Sequence, residues 1–320
     1  MKPQQPQWNP CLGWTAVLGF ALVSISCALP AARTPYWLPN PDDSVLGQAF
    51  YVESGRKDTL LDLGRRGGFG YDEMKSANPR VDTWLPGKGT QVLMPAHYVL
   101  PTAPRQGLVL NLAEKRLYYF PTSGKVITYA VSIGREGWGT PLGNFSIVSK
   151  VKDPTWTPPA SIRAEHAEQG DILPAVVPAA GPDNPLGRYA MRLSARKYLI
   201  HGTNKPWGLG MRVSHGCIRM YPEDIEQLFP EIPVATSVKI VYQPFKVGWR
   251  DTDLYLEVHA KDKDKPRSPK AVIPPAVAGA QGVTVDWGEV RRAIKENTGL
   301  PHLVGGRQQP PQRLYLDRIF

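Results

Sequence analysis

The stretch Tyr198–Phe229, YLIHGTNKPWGLGMRVSHGCIRMYPEDIEQLF, gathers His201, His215 and Cys217 among glycines. It then runs into Tyr221-Pro222-Glu223-Asp224, which predicts a helix start, with proline in the first turn and acids at the positive helix end. Three kinds of chemistry use such residues. A zinc ion would take the two imidazoles and the thiolate, but no Cys-x-x-Cys pair and no fourth ligand stand nearby. A core reading makes Cys217 a small buried hydrophobe and the histidines hydrogen-bonded structure. A nucleophile reading uses the thiolate, with a histidine to take its proton. The neighbours favour the last. Gly216 lets a substrate approach the backbone, where successive amides can hold an oxyanion. Arg219 adds a permanent cation that favours thiolate or binds a carboxylate. His215 and Cys217 are at i and i+2, sharing a face in an extended segment, so from the residues alone either histidine qualifies as base.

Composition places this chemistry in a globular protein. The 320 residues are 42% hydrophobic and 21% charged, enough to bury one large core or two ordinary ones. With 38 basic against 28 acidic side chains the net charge is +10, which favours anionic surroundings without naming them. No nucleic-acid-binding signature accompanies that charge, and no phosphate-cradling glycine loop or internal repeat is present. Many prolines and glycines favour short strands.

Residues 1–32 have the layout of a secretory signal: Met1-Lys2, a polar lead, and an apolar run of roughly fifteen residues within Cys11–Ala32, short for a membrane span. Ser26-Cys27-Ala28 permits cleavage after Ala28 or lipid modification of Cys27, and an uncleaved signal would instead anchor the chain to the membrane. Export would leave Cys217 as the sole free thiol in an oxidising compartment, since the remaining cysteines, Cys11 and Cys27, lie in the signal. A chemical use is then the stronger reading.

Residues 33–48 read as a Pro-rich linker. Between Ala49 and Pro95 the pattern predicts a strand at Phe50–Val52, a helix from Asp58 to Arg65, a glycine break, a helix at Tyr71–Ser76, and a strand at Gln91–Met94. That βααβ order, with YVESG, DTLLDLG, ANP and LPGKGTQVLMP, resembles a LysM module. The resemblance implies recognition of N-acetylglucosamine-containing glycan. From 105 to 245 short alternating runs predict a mainly β, sandwich or barrel-like domain. They are LVLNLAEKRLYYFP (a hairpin turning at Ala113-Glu114-Lys115), KVITYAVSIG, GNFSIVSKV, RYAMRLS, KYLIHGT and VKIVYQPF. Residues 246–320 read as an extension, DLYLEVHAKDKDKPRSPK being a charged exposed tail and VDWGEVRRAIKENTGL an amphipathic helix closing the chain.

His201-Gly202-Thr203 followed by Ser214-His215-Gly216-Cys217-Ile218-Arg219-Met220 resembles the signature of the L,D-transpeptidases. LVLNLAEKRLYYF, GREGWGTPLGNFSI and DPTWTPPASIR match the same family upstream. The resemblance implies Cys217 as nucleophile and His201 as general base and acid. It implies that Gly202, Ser214, His215 and Gly216 shape the oxyanion and substrate pocket, and that Arg219 orients the site or a substrate carboxylate. The implied substrate is peptidoglycan in the periplasm of a Gram-negative bacterium: a tetrapeptide stem donates its acyl group with loss of D-alanine. A second stem, an outer-membrane lipoprotein or water accepts it. No cofactor, metal or nucleic acid is implied.

Overall fold

The computed structural model describes residues 33–308 except 39, 123 and 180. The signal and lipidation readings lie outside the described residues. No helix among those described is long and apolar enough to cross a membrane.

The first unit carries β1 (Tyr36–Trp37), β2 (Val45–Gly47), β3 (Phe50–Glu53), α1 (Leu60–Gly67), α2 (Tyr71–Ala77), β4 (Gln91–Met94) and β5 (His97–Val99). Thr59 caps α1: its hydroxyl accepts from Asp62 N–H while the Asp62 carboxylate accepts from Thr59 N–H, which satisfies two otherwise orphaned donors. Gly68, at φ +81°, ends the helix in the left-handed region. β3 and β4 pair antiparallel, with Phe50 opposite Met94. The order β3-α1-α2-β4 is the expected one. The stretch 33–48, expected as a linker, instead supplies two paired strands: β1 lies along β8 of the next unit and β2 along β5. Its prolines break the chain into short pieces without keeping those pieces from pairing.

The second unit is a barrel. In chain order it contains β6 (Gly107–Asn111), β7 (Arg116–Phe120), β8 (Lys125–Gly134), β9 (Gly143–Lys152), α3 (Ala160–Glu168), β10 (Tyr189–Leu193), β11 (Leu199–His201), β12 (Arg212–Ser214), β13 (Ile218–Met220), α4 (Pro222–Glu231) and β14 (Ser237–Val241). Following the hydrogen bonds gives β8-β13-β11-β10-β9-β14-β6-β7, and β7 pairs back onto β8, closing the ring. Alternation points Leu110, Leu117, Tyr129, Val131, Ile147, Met191, Ile200 and Ile218 inward. Helix α4 adds Ile225 and Leu228 to this core. It starts as its sequence predicts, with Pro222 in the first turn and Glu223 and Asp224 beside it.

The third unit corrects the expectation of an exposed tail. β15 (Phe245–Arg250), β16 (Asp253–Val258), α5 (Pro275–Ala278), β17 (Val283–Val285), α6 (Trp287–Glu296) and β18 (His302–Arg307) form a sheet ordered β15-β16-β18-β17, with α6 packed on it. The run read as tail contains β16, an interior strand with Leu254 and Leu256 fully buried. Its Glu257 is buried as well, which is tolerable because the ammonium of Lys246 lies 2.9 Å away. The predicted helix is α6, but β18 follows it.

Candidate active site

The site is set by two parallel strands. β11 and β13 run side by side, Ile200 opposite Ile218 and His201 opposite Arg219. Ile200 and Ile218 face the barrel core. By the two-residue period of a strand, His201 and Arg219 must face the other way, and Cys217 continues that side one step before β13. There they meet a cleft of about 560 Å³ lined by His201, Ser214, His215, Cys217 and Arg219. Five of the seven residues singled out in the sequence therefore come together as side chains in one cavity. The other two, Gly202 and Gly216, shape its backbone.

Gly216 sits at φ +104°, and a Cβ there would come within 2.7 Å of Tyr198 Cε1. Only glycine fits this turn without strain. Ser214 Oγ, almost fully buried, accepts from Gly216 N–H at 3.1 Å and donates to the Cys217 carbonyl at 2.6 Å. Thr140 Oγ1 donates to the Gly216 carbonyl at 2.8 Å and accepts from Gly134 N–H at 3.0 Å. The turn bearing the thiol is thus tied to β8 and to the loop after it. The Gly216 amide, one of those expected to hold an oxyanion, is already engaged by Ser214. The kink at Gly216 also removes the premise that His215 and Cys217 share a face as i and i+2.

His215 turns instead toward Glu165 on α3. Its Nε2 lies 2.8 Å from Glu165 Oε2, Trp138 meets its ring edge-on at 4.9 Å, and Arg135 Nη2 is 3.2 Å from the same nitrogen. Gly202 packs beneath the cleft, where an added Cβ would press at 3.3 Å on Ile225 Cγ2 and on the Leu186 carbonyl.

The electrostatics describe a neutral resting pair. Burial pulls His201 down to about 3, the Arg219 cation adding to the effect and backbone groups of Gly202 and Leu186 opposing it. Burial also raises the Cys217 thiol above its ordinary value, against weaker pulls from Leu199 N–H, Arg219 and Arg192. The thiol donates a long hydrogen bond, 3.8 Å, to the Lys197 carbonyl. Arg219 is itself lowered by burial, and its Nε has no hydrogen-bond partner among the described residues.

His201, His215 and Cys217 do not converge as metal ligands would. Among the described residues, the cluster with ligand atoms close enough is Glu114, Glu257 and His259, and the Lys246 ammonium already sits against both carboxylates at 2.7 and 2.9 Å.

Sequence reading missed the roof of the cleft. Between β9 and β10 the chain forms a lid that carries α3, closed at its base by mutual backbone hydrogen bonds of Trp156 and Val177 at 2.9 and 2.8 Å. Trp156, Ile162, Ile172 and Val177 line the cavity from this side. The available signal was length: the segment from 153 to 188 is far too long for a hairpin loop. Glu165 carried no sequence signal of its own, and Trp138 and Thr140 lie in GREGWGTPLGNFSI, a stretch matched to the family without roles for its residues.

Comparison with known proteins agrees with this geometry. The YkuD family model, the L,D-transpeptidase catalytic domain, matches residues 105–240. The probable L,D-transpeptidase ErfK/SrfK of Escherichia coli strain K12 is 39% identical over 303 residues, 90% of this chain and 96% of that protein. The probable L,D-transpeptidase YcfS of the same strain is 36% identical over 313 residues, 94% and 97% of the two chains. Among solved structures, L,D-transpeptidase 3 from Mycobacterium tuberculosis aligns at 17% identity over 49% of this chain and 66% of that one. Its TM-score of 0.31 is too low to bear on the argument. The sequence likeness runs through all three units, and on it the chain belongs to the L,D-transpeptidase family.

Proposed function

We propose that this protein is an exported cysteine transpeptidase of peptidoglycan, acting through a thioester on Cys217. The observation that carries the reading is the placement of Cys217 and His201 on one face of the β11–β13 pair, both opening into the same cleft. Cys217 Sγ attacks the carbonyl of the third residue of a tetrapeptide stem as His201 takes the thiol proton. The tetrahedral intermediate collapses, the C–N bond to D-alanine breaks, and His201 returns the proton to the departing amine. An acceptor amine then attacks the thioester, giving up its proton by way of His201 to the leaving sulfur, and the free thiol is restored. Ser214 and Gly216 hold the turn in place, Arg219 supplies positive charge beside the thiol, and His215 and Gly202 shape the walls. No metal or cofactor enters these steps.

The acceptor is a second stem amine, giving a 3→3 cross-link, or a lipoprotein lysine, giving a wall anchor; water would give trimming alone. The unit 49–95 is read as a LysM-like module holding glycan, which raises the local concentration of wall-bound stems. The catalytic unit spans 105–245, and the protein works in the periplasm.

The test incubates the protein with tetrapeptide muropeptides and identifies products by mass. Cys217→Ala should abolish D-alanine release with the fold intact. His201→Ala should lower it by on the order of 10²–10⁴-fold. Near-normal turnover in Cys217→Ala would place the nucleophile elsewhere.

A further inference from the structure

Helix α3 buries none of its own residues, so something other than an apolar face must hold it over the cleft. Glu165, on this helix, makes that contact. Its Oε2 accepts from Arg135 Nη2 at 2.6 Å and lies 2.8 Å from His215 Nε2, and its Oε1 accepts from the same Arg135 nitrogen at 2.7 Å. Arg135 Nη2 and His215 Nε2 are only 3.2 Å apart. An arginine nitrogen can only donate. If His215 Nε2 carries a proton, two donors face each other, an arrangement that holds only because the carboxylate accepts from both. If Nε2 is bare, Arg135 would donate into it and the histidine proton would sit on Nδ1. The carboxylate decides between these states. Its hydrogen bonds, to Arg135 first and His215 second, hold it down at about 2, so it stays charged wherever the enzyme would work.

We propose that Glu165 is a positioning residue for this site: it fixes the His215 proton on Nε2, leaves Nδ1 as a hydrogen-bond acceptor, and pins the lid above Cys217. Among the described residues Nδ1 has no hydrogen-bond partner, and the ring borders the cavity that holds the thiol. Substrate therefore meets an acceptor at that wall, suited to a donor N–H of an amide or an ammonium group. A neutral or missing side chain at 165 would present a donor instead, the wrong partner for the same group. The proposal rests on the transpeptidase reading only where activity is measured, because the proton's position on His215 can be observed without substrate.

The experiment labels the full chain with ¹⁵N-histidine and records the ring-nitrogen resonances of His215 by long-range ¹H–¹⁵N correlation. The unaltered protein should show a protonated Nε2 and a bare Nδ1. In Glu165→Ala the two should exchange, because Arg135 now donates into Nε2. Glu165→Asp, which keeps the charge one methylene shorter, should restore the original pattern at least in part. Arg135→Ala should retain it, since the carboxylate still accepts from Nε2–H. In the same preparations kcat/KM for D-alanine release should fall on the order of tenfold in Glu165→Ala and recover toward normal in Glu165→Asp, the loss expected for one part-exposed charge-assisted contact. Melting should be nearly unchanged, because α3 contributes nothing to the core. An unchanged His215 pattern in Glu165→Ala overturns the proposal, as does an exchange produced by Arg135→Ala. Inactivity of the unaltered enzyme on muropeptides would instead sink the transpeptidase reading and leave the spectra standing.

Discussion

Alkylation of Cys217 as a function of pH separates two ways in which a thiol and an imidazole can share a site. In one, the pair rests as thiolate and imidazolium and reacts readily at neutral pH. In the other, both rest neutral and the proton moves only as the substrate is attacked. The structure assigns the second. His201 is brought down to about 3, so at pH 7 about one molecule in 10⁴ carries the imidazolium. Burial holds the Cys217 thiol above its ordinary value, so at neutral pH the thiolate is the minor form. Moving the proton from sulfur to nitrogen before substrate binds is uphill on both sides, because burial disfavours the thiolate and the imidazolium alike. The resting ion pair is therefore negligible. The sign follows for both groups: raising pH creates thiolate only above the usual cysteine range, and lowering it to 5 does not charge His201. Iodoacetamide alkylation of Cys217, followed by mass from pH 5 to 10, should keep rising with pH through the ordinary cysteine range, with no plateau at neutral pH. His201→Ala should leave that profile nearly unchanged while losing D-alanine release, because the imidazole acts in the transition state and not on the resting thiol. A plateau between pH 5 and 7, removed by His201→Ala, would show a resting ion pair and refute the reasoning.

Two further outcomes follow from the packing. Gly216→Ala places a methyl 2.7 Å from Tyr198 Cε1 at a φ of +104°, so the turn must shift. D-alanine release should drop on the order of 10²-fold, the cost of misplacing a reacting group by about 1 Å, and full activity in this variant would show that the turn's position is unimportant. Lys246→Met leaves Glu114 and Glu257 buried with only His259 to compensate them, and should lower the urea-unfolding free energy by about 3–5 kcal/mol; a loss under about 1 kcal/mol would mean the cluster does not depend on the ammonium.

The strands were legible because their side chains alternate and their ends carry turn residues. KVITYAVSIG occupies β8, Lys125–Gly134, residue for residue, and Gln91–Met94 is β4 as expected. The site was legible because a histidine followed at a fixed distance by Ser-His-Gly-Cys brings its members onto adjoining strands, β11 and β13. Legibility failed where a residue's environment comes from far along the chain. The acidic and basic residues around β16 suggest solvent, yet Glu257 is buried because Lys246 meets it from β15. Glu165 lies in no predicted element, and its partners lie 30 and 50 residues away at Arg135 and His215. The φ of Gly216 is equally invisible in the sequence, and it is what turns His215 away from the face assigned to it by a two-residue period.

A modular reading treats 49–95 as a detachable binding unit, and the packing gives it a second task. Val109, Tyr118 and Val126 on the outer face of the barrel belong to the same core as Leu60, Phe69 and Met74 of the first unit. Arg116, buried on β7, pairs with Glu73 of α2 and donates to the Gly68 carbonyl. Without α2, that guanidinium would be left as an uncompensated buried charge, a far larger cost than a surface pair carries. The contacts continue toward the site. Arg65 of α1 binds Glu223 through two hydrogen bonds of 2.9 and 3.0 Å, Tyr71 N–H donates to the Leu209 carbonyl at 2.9 Å, and Tyr221 Oη donates to the Phe69 carbonyl at 3.1 Å. Leu209 lies in the loop 202–211, the connection between His201 and the strand that leads to His215 and Cys217. Gly70 meets Gly210 so closely that a Cβ on either would overlap the other's backbone. The first unit therefore braces the loop that leads from His201 toward His215 and Cys217. Its packing also fixes the loop beside the cleft, so any binding by this unit would share one support with the β11–β13 pair.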